Sequence, residues 1–447
     1  MAFETMAKSY SLPVGDVQVK IHYDRTWTPY YLDFNLTDQD DQLTLSYGYE
    51  DEDLLTFYPN ITKFVFEDHD RKNFDVLKYS LGEYARLEPS NRFQYGGVEV
   101  FLNGQLKFKG YIDELTLEYN EDNLTTSFEA LDLTAMLSDL IVDRQKIFNI
   151  VGEFIRLPLS TFIHAIYRQI WSDFGIGVYD VSLINSGLGG LFIKHDWRFT
   201  GRRINPFEER TKDWSFPVQF QQTIFNLDST GLFNDDRPGR TWADFLRILA
   251  LQFAVTIGSE DYGKVYFVKR FGTSGRTPVD ISNHIVNNEL SVRLFLPILK
   301  GVHVINTWNG VRIYNYGTVE QESNGSFVYP NLVKVINTYV GSFTEGNITG
   351  TAIYVDNGNY PVLNGVRDPD LGVSGFHAYQ VTGQWYLKAR IRPKSLVEFT
   401  ADGINYSMTG LYKVTPPDTN DISTIFRPMT LEKSYTTAQT RIVGVEI

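Results

Sequence analysis

The side chains able to do chemistry are many, but their spacing assembles no reaction centre. Seven histidines stand at 22, 69, 164, 195, 284, 303 and 377. No two are four apart, as a zinc pair on one helix face would be. Cysteine is absent, which removes thiolate ligands, a thiol nucleophile and any disulfide. Gly372-Val373-Ser374-Gly375 is one residue short of a nucleophile elbow. No phosphate-cradling glycine loop or dinucleotide fingerprint occurs. Carboxylates are abundant, with 54 Asp and Glu. The run Glu50–Asp53 and the trio Asp38, Asp40 and Asp41 read as solvated loops, because a cation site needs convergent ligands from elsewhere. Asp356, Asn357, Asn359, Asp368 and Asp370 offer oxygen ligands in a Gly/Asn/Asp-rich stretch over 343–376. They lack the order of a calcium loop and read as turn formers at an exposed rim. No carboxylate pair is singled out for glycoside hydrolysis. The expectation is a protein with no catalytic residues, no cofactor and no metal.

Composition narrows the class further. The 447 residues carry 15% aromatics, including 27 Tyr and 31 Phe, which favours strands and leaves room for more than one core. The formal charge of −13 disfavours a phosphate-gripping nucleic-acid binder. An acidic wall could still surround DNA and let it slide; the plainer role of the charge is solubility. The opening MAFETMAKSYSLPVGD lacks the apolar centre of a secretory signal. No run approaches the ~18 apolar residues of a membrane helix, so no stable membrane insertion is expected.

The elements that would position these residues are mostly strands. Residues 14–96 read as all β, with strands at 17–21, 31–36, 43–47 and 63–68. Gly97–Leu140 is the most legible stretch. Val98, Val100 and Leu102 alternate up to an Asn103-Gly104 turn. Leu106, Phe108 and Ile112 continue after it, with Gly110 predicting a bulge or sharp bend. Leu115, Leu117 and Tyr119 predict a third strand, and Leu124–Ala130 a fourth. Asp132 then caps a short helix with Leu133, Met136, Leu137 and Leu140 on one face. In the middle, the 3.6-residue period predicts helices over 160–174 and 241–257, ended by Gly175 and Gly258. Each is followed by strand-like sequence, GVYDV and KVYFVKR. Lys194–Lys212 is locally basic and reads as a solvated loop, or a docking site for an acidic neighbour. From about 290 the chain is β again, with a second hairpin turn at Asn309-Gly310.

Two blocks resemble the hub proteins at the baseplate or tail tip of bacteriophages and related injection machines. In the first block the resemblance rests on Gly104, Phe108, Gly110, Asp113, Ala130, Asp132 and Leu133. In the second it rests on Trp242, Phe245, Leu246, Leu249, Ala250, Gly263 and Tyr266. A helix packed on a hairpin explains the second block's apolar stripe equally well; the order of the two blocks is what matches.

The resemblance implies a mainly β fold with an α+β middle. An N-terminal tube-like β-barrel would occupy 1–148 and two helix–hairpin units 149–288. A C-terminal β domain over 289–447 would form a second tube-like barrel. It implies a structural, non-enzymatic homotrimer in the virion, whose barrels form a pseudo-six-fold ring around the DNA channel. The tail tube or a distal tail protein would lie above, and a spike, fibre or tail-tip protein below, with a tape-measure protein as a further neighbour. DNA would pass without specific binding. Asp33, Glu99, Asp113, Glu118 and Glu129, at non-core positions, are the candidates for an acidic lumen face. The alternative is a carbohydrate- or receptor-binding multi-domain β protein of the tail tip. It would show aromatic rings exposed on loops, whereas most aromatics here lie in core-facing stripes.

Overall fold

A computed structural model describes residues 3–36, 41–48, 59–82, 89–140, 255–262, 276–296, 394–416 and 423–447. It also describes short pieces of the remainder: 156–158, 168, 182–186, 192–194, 241–243, 246, 264–269 and strand segments between 301 and 374. The fold is mainly β. Strands β1 (Phe3–Leu12) and β2 (Gly15–Asp24) form a long hairpin, with Met6 opposite Ile21. Then come β3 (Leu43–Gly48), β4 (Ile61–Glu67), α1 (Lys72–Leu81) and α2 (Pro89–Gly96). They are followed by β5 (Gly97–Leu102), β6 (Gln105–Ile112), β7 (Glu118–Asn120) and β8 (Thr125–Asp132). Alternation drives these strands: Val17, Val19 and Ile21 on β2 and Val98 and Val100 on β5 point into one core. Phe64 of β4 stacks on Phe128 of β8 with centroids 4.9 Å apart, directly across the ladder.

Several sequence expectations are corrected here. The region before residue 97 is not all β, because α1 and α2 lie within it. Asn73, Val76, Leu77, Ser80 and Leu81 give α1 a buried helical face. Residues 31–36 keep strand-like alternation, burying Leu32, Phe34 and Leu36, but join no ladder. Side chains serve their backbone instead: Asn73 Oδ1 accepts from Asp33 N, Asn73 Nδ2 donates to Asp33 O, and Tyr10 OH donates to Phe34 O. The third strand of the 97–140 block is interrupted. Glu114–Thr116 make a 3-10 turn that leaves Leu115 exposed, and only Glu118–Asn120 pair. The bulge lies opposite the Val100/Phe101 step, at Lys107 rather than Gly110. Gly110 serves a close approach of β6 to β8, where a Cβ would strike the Leu131 carbonyl. The helix after Asp132 is a 3-10 segment, Leu133–Ser138, with Leu133, Met136 and Leu137 buried.

In the middle, Trp242, Ala243 and Leu246 are helical, but the helix does not reach residue 257. Val255–Ser259 is strand β9, hairpinned to β10 (Lys264–Lys269). The β-branched run Val255-Thr256-Ile257 favours the strand. Gly258 therefore ends no helix; it lies opposite Tyr266, whose ring occupies the space a Cβ would need. The expected elements at 160–181 and 195–212 and the Asn309-Gly310 turn lie wholly or largely outside the described residues.

The second β region comprises β11 (Val279–Asp280), β12 (Ile285–Leu296), β13 (Lys394–Asp402), β14 (Tyr412–Val414), β15 (Thr424–Ser434) and β16 (Gln439–Glu446). It is hydrogen-bonded to the first. The 14-stranded sheet runs β1-β2-β5-β6-β8-β4-β3-β15-β16-β13-β12, with β7, β11 and β14 off that path. The seam is antiparallel pairing of β3 with β15, Tyr47 facing Leu431. One continuous core follows, from Met6 to Val445.

Candidate functional site

The β9–β10 turn, Ser259-Glu260-Asp261-Tyr262, is where the two β regions and the middle of the chain meet. Each of its residues is bonded to a distant part of the chain. Ser259 Oγ donates to Asp132 Oδ2 at 3.0 Å and accepts from Asn60 Nδ2 at 2.9 Å. Asp132 also caps the 3-10 segment, accepting from Thr134 N at 3.1 Å and from the Thr134 hydroxyl. Burial pushes the Asp132 carboxyl up to about 6, against the lowering effect of these donors.

Glu260 turns the other way, toward the second β region. Its carboxylate accepts from Ser407 Oγ at 2.7 Å and Met408 N at 3.1 Å, and lies 3.8 Å from Lys433 Nζ. Burial raises its pKa, and Lys433 opposes the rise. Lys433 also stands 4.9 Å over the ring of Tyr47 from β3. Asp261, in the left-handed region at φ 53°, accepts from Tyr47 OH at 3.1 Å and Lys107 Nζ at 2.9 Å. The Tyr262 amide donates to Lys107 O at 2.7 Å, and burial pushes the Tyr262 phenol up to about 12. Lys107 is the bulge residue of β6, so the bulge turns its carbonyl and ammonium toward this turn. The chain enters the same neighbourhood through Trp242, buried, whose amide donates to Leu140 O at 2.9 Å.

This arrangement ties the turn to both β regions. Asp132 and Glu260 are both buried, and each carboxylate accepts from the donors named above. Among the described residues no cluster of His, Asp and Glu could hold a metal ion, and no helix is long and apolar enough to cross a membrane.

The residues named from sequence take different structural roles. Gly104 makes the hairpin turn with Asn103, at φ 76° and 50°. Phe108, Ala130, Leu133, Trp242, Leu246 and Tyr266 are buried packing residues. Asp113 caps the 3-10 turn by accepting from Leu115 N at 3.1 Å. Phe245, Leu249 and Gly263 lie outside the described residues or side chains. Of the five acidic candidates, Asp113 N donates to Glu129 O at 2.8 Å, and Glu118 lies opposite Ser127, two residues from Glu129 and so on the same side of β8. Asp33 pairs with Lys8, and Glu99 with Lys109 at 3.1 Å. Glu118 is exposed on β7 and Glu129 half-buried on β8. Asp132 was legible from sequence as a cap; its bond to Ser259, 127 residues away, was not. Glu260 and Asp261 carried only one signal, an acidic pair in a hairpin turn.

These features define a class, a β scaffold of two regions pinned by one buried turn. Solved structures similar to it come from phage tails. The 43 kDa tail protein of prophage MuSo2 from Shewanella oneidensis is 12% identical, with 90% of this chain and 92% of that chain covered and a TM-score of 0.42. A tail protein from Neisseria meningitidis MC58 is 9% identical, with coverages of 100% and 97% and a TM-score of 0.41. A chain of the phage P2 baseplate in its activated conformation is 10% identical, with coverages of 99% and 98% and a TM-score of 0.29. At identities and TM-scores this low the likeness carries no functional argument. No family model and no curated protein matches the chain.

Proposed function

We propose that this chain is a structural hub of a phage tail tip, without enzymatic activity. Three copies would form a ring with two β units per copy, around the channel through which DNA leaves without being specifically bound. The tail tube or a distal tail protein would sit above and a spike, fibre or tail-tip protein below, with the tape-measure protein as a further neighbour. One observation carries this reading: a single sheet unites the two β regions, and a buried turn fixes them to each other. A tube of six-fold subunits can end on a three-fold spike if each hub chain presents two β units in a fixed relation. The sequence blocks at 97–140 and 241–266 support the same reading by resemblance.

Symmetry-resolved imaging of intact particles tests it. Three copies at the tail tip are expected; one, two or six would sink the assignment. Purified chain should release no product from peptidoglycan or capsule. Cleavage lost on replacing a single Asp or Glu would overturn the non-enzymatic part.

A further inference from the structure

The loop joining β2 to the 31–36 segment exposes three aromatic rings within five residues. Trp27 is 60% exposed, Tyr30 43% and Tyr31 58%. Exposed single aromatics are ordinary; three on one short loop are not. The loop is also held in shape. Thr26 N and Oγ1 donate to Asp24 Oδ1 at 2.8 and 2.5 Å, and Asp24 N donates to Ser80 Oγ of α1 at 2.8 Å. Thr28 N donates to Arg25 O at 3.3 Å, Tyr30 N to Thr28 Oγ1 at 3.2 Å and Leu32 N to Tyr23 OH at 3.3 Å. Pro29 fixes a further dihedral. A loop held this way loses little backbone freedom on binding.

We propose that Trp27, Tyr30 and Tyr31 form a stacking platform for a neutral polysaccharide. The chemistry of the loop selects this occupant. Residues 24–31, DRTWTPYY, contain no Leu, Ile, Val, Met or Phe, so the patch offers flat rings without the aliphatic filling of a protein–protein core. Charged pairs border these rings and give the patch a polar rim. The Arg25 guanidinium stands 3.9 Å over Tyr31 and is bonded to Glu4 at 3.0 Å. Lys72 lies 5.7 Å from Tyr30 and is paired with Asp70 at 2.5 Å. Lys8 is paired with Asp33 just beyond the loop. Arg25, Lys72 and Lys8 each have a carboxylate already, so these three cations offer an anionic polymer no unpaired charge. The C–H faces of a hexopyranose can lie on the rings while its hydroxyls meet the polar rim.

This site would be additional to the scaffold role, and its failure leaves that role standing, because copy number does not depend on it. The test uses the full chain and three neutral hexasaccharides: β-1,4-linked glucose, β-1,4-linked N-acetylglucosamine and α-1,6-linked glucose. Dextran sulfate serves as the anionic control. Calorimetry and tryptophan fluorescence should show binding of at least one neutral probe, with no gain for dextran sulfate. Trp27→Ala should weaken that binding roughly tenfold or more, with circular dichroism and oligomeric state unchanged. Tyr31→Ala gives an independent reading if Trp27→Ala folds poorly. The proposal is overturned if none of the three sugars binds, or if both variants bind as the parent does. It is equally overturned if Trp27→Ala breaks the oligomer, which would mark the loop as a subunit contact.

Discussion

Glu260 and Lys433 are both nearly sealed from water, and each is the other's counter-charge at 3.8 Å. Removing Glu260 takes a carboxylate away from a buried ammonium, which costs more than the pair itself contributes. Glu260→Ala should therefore destabilise the chain by roughly 3–5 kcal/mol in urea unfolding. Replacing both together, Glu260→Leu with Lys433→Met, should recover a large part of that loss; a strictly additive double variant would contradict the pairing. Asp132 gives a pH prediction. Its carboxyl is raised from 3.8 to about 6 in the folded chain, so the native state binds the proton more tightly than the unfolded one. Its contribution is fully present below the unfolded pKa and is lost as pH rises through about 6. At neutral pH the loss is on the order of 3 kcal/mol. Burial raises Glu260 as well, in the same direction. Melting temperatures measured between about pH 4 and pH 7 should fall with rising pH, and Asp132→Asn should flatten that slope. An identical slope in the variant would mean that Asp132 does not carry it.

Among the elements, legibility depended on whether local pattern and long-range pairing agreed. The β5–β6 hairpin was readable because Asn103-Gly104 and the flanking alternation depend only on neighbours. α1 was readable in principle, since its buried residues follow helical spacing, but a strand-rich setting masked it. Its N-terminus is served from outside the helix: Asp68 accepts from Phe74 N at 2.9 Å and Asn73 N at 3.3 Å, and also holds Thr126 Oγ1 at 2.8 Å. Asp68→Ala should cost about 0.5–2 kcal/mol as a lost cap, and more if Thr126 is left unsatisfied. Thermal melts followed by circular dichroism would check it, and an unchanged midpoint would refute the capping role. Residues 31–36 show the opposite mismatch. The alternation correctly placed Leu32, Phe34 and Leu36 in the core, yet pattern alone cannot say whether a backbone is satisfied by a ladder or by side chains such as Asn73.

For the molecule as a whole, mainly β character and two strand-rich ends were legible from composition and period. Their union was not, because the β3–β15 seam joins residues almost four hundred positions apart, such as Ser46 and Glu432. The ends of that sheet bear on assembly. Among the described residues β12 has a ladder partner on one side only, β13. Its exposed face carries Val292 and Leu294 two residues apart, hence on the same side of the strand. A long edge with exposed apolar side chains invites pairing and has to be covered. In the ring proposed above, a neighbouring copy is the cover: a head-to-tail contact between unlike surfaces closes after a fixed number of copies, whereas a self-complementary one stops at two. Val292→Lys with Leu294→Lys adds two positive charges to that edge while leaving the core untouched. The double variant should keep its circular dichroism spectrum and melting temperature but run as a monomer in native mass spectrometry. If it assembles like the parent chain, the ring does not close through β12.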